Sequence, residues 1–350
     1  MIVHVVVPAG IDDPTRPSGG NSYDRRICDG LVELGWVVHE HPIVGSWPTP
    51  AAVDRTVLAR VLGTVPDEGI VLIDGLLASA AAEELRWIGR RLRVFVLLHL
   101  PLGVAAQDAA IAAVERQALG CADAVIVTSP WTRTWLVEHC DLPPDRVHVA
   151  EPGVDSAELT EPSADGGRLL CVGALLPHKG QDVLVAALTL LAGRRWRCRL
   201  VGAELDTDHA RTVRALIVSA GLGDRIELTG PLPPADVATI YADTDLLVVP
   251  SRIETYGMVV LEALARGIPV VATTAGGLPG VVGLDDGGSG PGLLVPADDP
   301  RSLAEVLRRW LDDEQLRHRL RVAAAARRQT LPPWSQTVDR VAAALREVAA

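Results

Sequence analysis

"SRIETYGMVVLEALARGIPVVATTAGG", residues 251–277, sets two glutamates, Glu254 and Glu262, eight positions apart. The run "DLLVVP" before it is a buried-strand pattern, so residues 251–256 read as the loop at a strand's carboxyl end. A helix is expected from near Gly257, stopping at Gly267 with Pro269 beyond it. "PVVATT" then reads as the next strand. This succession belongs to a doubly wound α/β sheet, in which ligands sit outside the carboxyl ends of the strands.

The same alternation extends in both directions. Near-continuous Val/Ile/Leu runs at 2–7, 36–41, 70–73, 94–98, 124–128 and 147–150 suit strands covered on both faces. Helices are expected over 21–34 and, unbroken, over 105–120. The pattern restarts at Arg168 with "RLLCVGAL" and runs through five more strands, of which the last is "GLLVP". Two βα series imply two domains, 1–157 and 168–332. The stretch 158–167, rich in Pro, Gly and acids, is expected as a linker, and an amphipathic helix is expected at 333–350.

Composition bounds the class. The chain has 350 residues, 48% of them hydrophobic and 22% charged, enough for two cores. A net charge of −11 argues against nucleic acid as the main partner, because phosphate binding rests on Lys and Arg. The five cysteines form no CxxC pair and are expected as reduced, packed thiols. "MIVHVVVPAG" reads as a first strand rather than a leader, and no apolar run approaches a membrane span, so a cytoplasmic protein is expected.

The residues with chemistry cluster after strands. Free N–H groups of the first helical turn, Gly257 to Val259, form an anion site, and Gly257 admits a ligand close to the backbone. Glu254 and Glu262 beside it would accept hydrogen bonds from sugar hydroxyls. Phosphates and hydroxyls together describe a nucleotide sugar, although the spacing alone also fits a surface helix with one favourable first-turn acid. In "GALLPHKGQDVL", Lys179 stands at another helix start, placed to meet a diphosphate, or else is a solvated loop lysine. Gly19 and Gly20 follow the first strand, a weak phosphate-cradling signal. "DTD", Asp243 to Asp245, reads as a helix end entering a strand, and no metal is expected. Arg86, Trp87, Arg90, Arg91 and Arg93 could touch a membrane surface weakly, but read better as a helix end carrying cations that suit its dipole.

With these features the chain resembles retaining glycosyltransferases of the GT-B fold, glycosyltransferase family four, over nearly its whole length. The resemblance rests on Glu254, seven residues and Glu262, together with "VGALLPHKG", "YADTDLLVVPS", "EPGVD" and "GLLVPADDP". It implies two Rossmann-like domains facing a central cleft, the C-terminal helix crossing back onto the first. It implies a UDP- or GDP-sugar donor, no cofactor, and a small-molecule, glycan or lipid acceptor read by the loops at 8–24, 42–50 and 99–108. By position, Glu262 would bind ribose, and Glu254 would contact the donor sugar and steady the reacting centre. Lys179 and the N–H groups of Met258 and Val259 would hold the diphosphate, Gly20 would let the first domain close on it, and His99 would stand near sugar and acceptor. The implied reaction is a same-face transfer in which the leaving diphosphate takes the acceptor proton. Where relatives often carry Arg and Glu, this chain has Ala174 and Gly280. A nucleotide-sugar epimerase or a non-catalytic sugar-nucleotide-binding protein are the alternative functions.

Overall fold

A computed structural model describes residues 1–106, 108–284 and 288–349. The chain forms two compact units. The first comprises Met1–Asp13, Gly19–Gly153 and the chain from Pro333; the second comprises Pro14–Ser18 and Val154–Pro332.

In the first unit six parallel strands, β1 (Ile2–Pro8), β2 (Val37–Ile43), β3 (Ile70–Asp74), β4 (Arg93–Leu98), β5 (Ala124–Val127) and β6 (Val147–Val149), lie in the order β2-β1-β3-β4-β5-β6. The chain winds one way from β1 to β2 and the other way from β3 onward, so the order reverses between β1 and β3. β3 and β5 are buried along their whole length, as their apolar runs require. One face is covered by Leu58, Leu62, Leu85 and Leu119 from intervening helices. The other is covered by Tyr23, Ile27 and Leu31 of the helix Gly19–Glu33 and by Val338, Val341 and Leu345 of the last helix, Trp334–Ala349. Those two helices touch at Gly30, where a Cβ would stand 2.4 Å from a Val338 methyl.

In the second unit β7 (Arg168–Val172), β8 (Arg197–Val201), β9 (Ile226–Gly230), β10 (Leu246–Val249), β11 (Val270–Thr273) and β12 (Gly292–Val295) take the order β12-β11-β10-β7-β8-β9, again all parallel. Here the reversal falls between β7 and β10. The helices Gln181–Thr189 and Pro300–Asp312 cover one face through Leu184, Leu188, Leu307 and Trp310; Met258–Ala265 covers the other through Val260 and Leu264. The five cysteines are free thiols and four are buried. Among the described residues no helix is long and apolar enough to cross a membrane.

Two expectations need correction. The helix expected over 105–120 is two helices, Leu102–Ala106 and Ala109–Gly120. Asp108 is extended (φ −118°, ψ 119°) and its carboxylate accepts the N–H groups of Ala110 and Ile111, so it starts a helix instead of continuing one. The stretch 158–167 lies within the second unit and is bonded to it. Thr160 N–H donates to the Arg266 carbonyl at 3.0 Å, and Ser163 N–H donates to Asp245 at 2.7 Å. Its composition excludes helix and strand, not hydrogen-bonding partners.

Candidate active site

The reversal between β7 and β10 brings together Lys179, Arg252 and Glu254. After β7 the chain makes a single 3-10 turn, Pro177–Lys179, and leaves it through Gly180 in the left-handed region (φ 68°). After β10 it runs through residues 250–257 into the helix Met258–Ala265, capped by left-handed Gly257 (φ 94°). The Arg252 N–H donates to the His178 carbonyl at 2.8 Å, and the Arg252 guanidinium pairs with Asp182 and Asp298, tying the two loops together. Lys179 Nζ then meets Glu254 Oε2 at 2.6 Å, both side chains partly exposed. Burial, with the neighbouring Lys179 charge, pushes His178 down to about 4, so it stays neutral.

Glu254 is also gripped from behind. Its carbonyl accepts the Gly277 N–H at 2.9 Å. A Cβ on Gly276 would stand 1.9 Å from that carbonyl oxygen, so the turn "AGG" closes on the backbone of Glu254. Met258 and Val259 open the helix whose first N–H groups lack intrahelical partners. Glu262, on the same helix, accepts the Tyr241 hydroxyl at Oε2, 2.8 Å away. Oε1 has no hydrogen bond among the described residues, in a residue that is only partly buried. Burial raises the Glu262 carboxyl despite that bond, while burial and the Glu262 charge raise the Tyr241 phenol, which therefore remains a donor. Arg266 lies 4.6 Å over the Tyr241 ring.

Lys179, Glu254 and Gly257 are thus brought together; Tyr241 and Gly276 were missed, since neither a buried tyrosine in a helix nor a glycine after a strand announces its partner. Ala174 offers only its carbonyl, to Gln181 at 2.9 Å. Gly280 is exposed, with open space where a side chain would stand. Asp243 and Asp245 are taken by arginines: Asp243 pairs with Arg168, Arg197 and Arg199, and buried Asp245 with Arg168 and Arg321.

Gly20 and His99 lie in the first unit, at the other reversal point. Asp74 ends β3, His99 follows β4, and Asp24 lies one turn after Gly20 in the helix Gly19–Glu33. His99 Nε2 is 2.7 Å from Asp24 Oδ1 and 3.4 Å from Asp74 Oδ2; the acids are 2% and 6% exposed and the histidine 19%. The Tyr23 ring packs edge-on against His99 at 5.2 Å. A Cβ on Gly20 would come within 3.1 Å of the His99 ring, so the glycine makes room for the imidazole. Burial and the Asp24 charge push Asp74 up to about 8. Burial alone would lower His99, but the charge and hydrogen bond of Asp24, with Asp74, outweigh it and raise it. One oxygen of each acid and a ring nitrogen of His99 lie within 4.8 Å of one another. Neither acid was singled out in the sequence. In the arginine cluster weighed as a possible membrane contact, Arg91 donates to the Leu62 and Val65 carbonyls and pairs with Asp67, and Arg93 pairs with Glu68. That gives no support to membrane contact; Trp87 is simply exposed.

Residues 160–327 match the family described as glycosyl transferases group 1, and residues 3–158 match the family described as glycosyltransferase family 4. A D-inositol 3-phosphate glycosyltransferase 1 from Catenulispora acidiphila is 33% identical, across 91% of this chain and 82% of the relative. A D-inositol 3-phosphate glycosyltransferase from Kineococcus radiotolerans is 35% identical, across 64% of this chain and 57% of the relative. In several such relatives the match spans little more than half of the relative's length. The fold is similar to that of Anabaena Alr3699/HepE in complex with UDP and glucose, with a TM-score of 0.79 and 20% identity over 99% of this chain and 100% of that one.

Proposed function

Since the chain belongs to glycosyltransferase family 4, we propose that it is a retaining glycosyltransferase moving a sugar from a nucleoside diphosphate sugar to a hydroxyl acceptor without a metal ion. The observation that carries this reading is the Lys179–Glu254 pair at the β7/β10 reversal, beside the open end of the helix Met258–Ala265. Lys179, held by Glu254, turns to the diphosphate when donor binds. With the Met258 and Val259 N–H groups it stabilises the charge that grows on the leaving group. Glu254 then faces the sugar, and Glu262 Oε1 accepts from the ribose. In the first unit, Gly20 and His99 serve substrate binding. The arginine pairing of Asp243 and Asp245 supports the metal-free reading, because those carboxylates are already neutralised.

UDP- and GDP-sugars are the donors to screen by calorimetry, UDP-glucose first because the HepE structure contains UDP and glucose. D-inositol 3-phosphate is the first acceptor to try, from the relatives' names. Expected are a glycoside of retained anomeric configuration and a rate unchanged by a chelator. Lys179→Ala should lower kcat by about 10²–10³. An altered donor sugar without any acceptor would make the protein an epimerase, and donor binding without turnover would make it a binding protein.

A further inference from the structure

We infer that Asp24, Asp74 and His99 form a hydroxyl-binding unit in which the two acids are positioning residues: they anchor His99 Nε2 inward and leave Nδ1 to meet a substrate hydroxyl. This rests on the reading of the chain as a glycosyltransferase. Three observations carry it. Both carboxylates address the same ring nitrogen, at 2.7 and 3.4 Å, from two different elements. Nδ1 makes no hydrogen bond among the described residues, on a side chain that keeps 19% exposure, so it is the end of the ring left for a ligand. Asp24 also shares a hydrogen bond with Asp74, so the two acids hold the imidazole as a pair.

The packing fixes the ring as well as its hydrogen bond. Tyr23 lies edge-on to it, its own hydroxyl donating to the Ala150 carbonyl at 2.8 Å, and Gly20 leaves just the space the ring fills. Asp74 is held in turn, because its Oδ1 accepts the Leu76 N–H at 2.7 Å. The titratable groups facing His99 are therefore Asp24 from the helix and Asp74 from β3, the latter raised to about 8 and so mostly protonated at neutral pH. A proton on Nε2 is stabilised first by the Asp24 carboxylate, 2.7 Å away. The proton that comes and goes is the one on Nδ1, so that nitrogen donates to a hydroxyl oxygen at low pH and accepts from the hydroxyl at high pH. A sugar or polyol hydroxyl, which both donates and accepts, can pair with either form.

Imidazole resonances of the intact protein, followed from pH 5 to 10, test the triad without any turnover, His99 being identified by its loss in His99→Gln. Expected is a neutral form protonated at Nε2 and a titration above that of an ordinary histidine, moving down by at least one pH unit in Asp24→Asn. A titration at the ordinary position, unmoved in Asp24→Asn, would overturn the inference. So would a stoichiometric divalent ion in the wild-type protein that Asp24→Asn abolishes, since the triad would then be a metal centre. For activity, Asp24→Asn and Asp74→Asn should lower kcat/KM at least tenfold and shift its pH profile. Binding of UDP or GDP, whichever the wild type takes, should stay within twofold, which also reports that the second unit is folded. An unshifted profile would leave the acids structural and refute the proposal. If the wild type transfers no sugar at all, the functional reading fails while the resonance titration still decides the triad.

Discussion

Tyr241 occupies one carboxylate oxygen of Glu262 and leaves the other open, so a single atom carries the contact proposed for ribose. Glu262→Gln keeps an acceptor for Tyr241 and loses the charge. Donor affinity should fall about tenfold, the worth of one charge-assisted hydrogen bond, while the melting temperature moves little. Calorimetry with the nucleotide sugar checks this, and an unchanged Kd would remove Glu262 from the site. At this scale the sequence is uneven in what it reveals. Glu254 and Lys179 were legible because each follows a buried strand and precedes a glycine and a helix. Asp24 and Asp74 were not, because a lone acid in a helix or at a strand end means nothing until a histidine 75 positions away from Asp24 is folded against it.

Among the elements, the turn Pro177–Gly180 sets the position of Lys179. Gly180 adopts φ 68°, and a Cβ there would meet the Pro250 carbonyl oxygen at 2.1 Å. Both the conformation and the contact forbid a side chain. Gly180→Ala should destabilise the protein by about 1–3 kcal/mol from backbone strain alone and should lower activity as well, because the displaced turn carries Lys179. Urea unfolding reads the first effect; a loss below about 0.5 kcal/mol would show that the loops yield more easily than the packing implies. Strand runs were read well, since strands buried on both faces leave an unbroken apolar signature. The helix at 105–120 was read as one because alanine on both sides of Asp108 masked its capping role.

For the molecule as a whole, the buried acid at the end of β3 links stability to pH. Asp74 is raised to about 8 by burial and by the Asp24 charge, far above an unfolded aspartate near ~4. The folded state therefore holds a proton that the unfolded chain has released across that window, and stability falls as pH rises through it. Asparagine keeps the cap on Leu76 and removes the ionisation. Asp74→Asn should thus raise the melting temperature more at pH 8 than at pH 5, by a few degrees; an equal change at both would contradict the raised value. The two-sheet architecture was legible in the alternation of strands and helices. The partners of 158–167 were not, because they lie some 80 positions away at Asp245 and about 100 away at Arg266.

The last helix also has a consequence in time. Val338, Val341 and Leu345 complete the face covered by the helix Gly19–Glu33, which is otherwise finished once Gly153 has been made. At roughly 5–20 residues per second, the ribosome needs about 10–40 s to go from Gly153 to Leu345. Through that interval the first unit waits with an apolar face uncovered, while the second, which needs nothing after Pro332, can close first. The order of maturation therefore runs against the order of synthesis, and chaperone demand should fall on the half that is translated first.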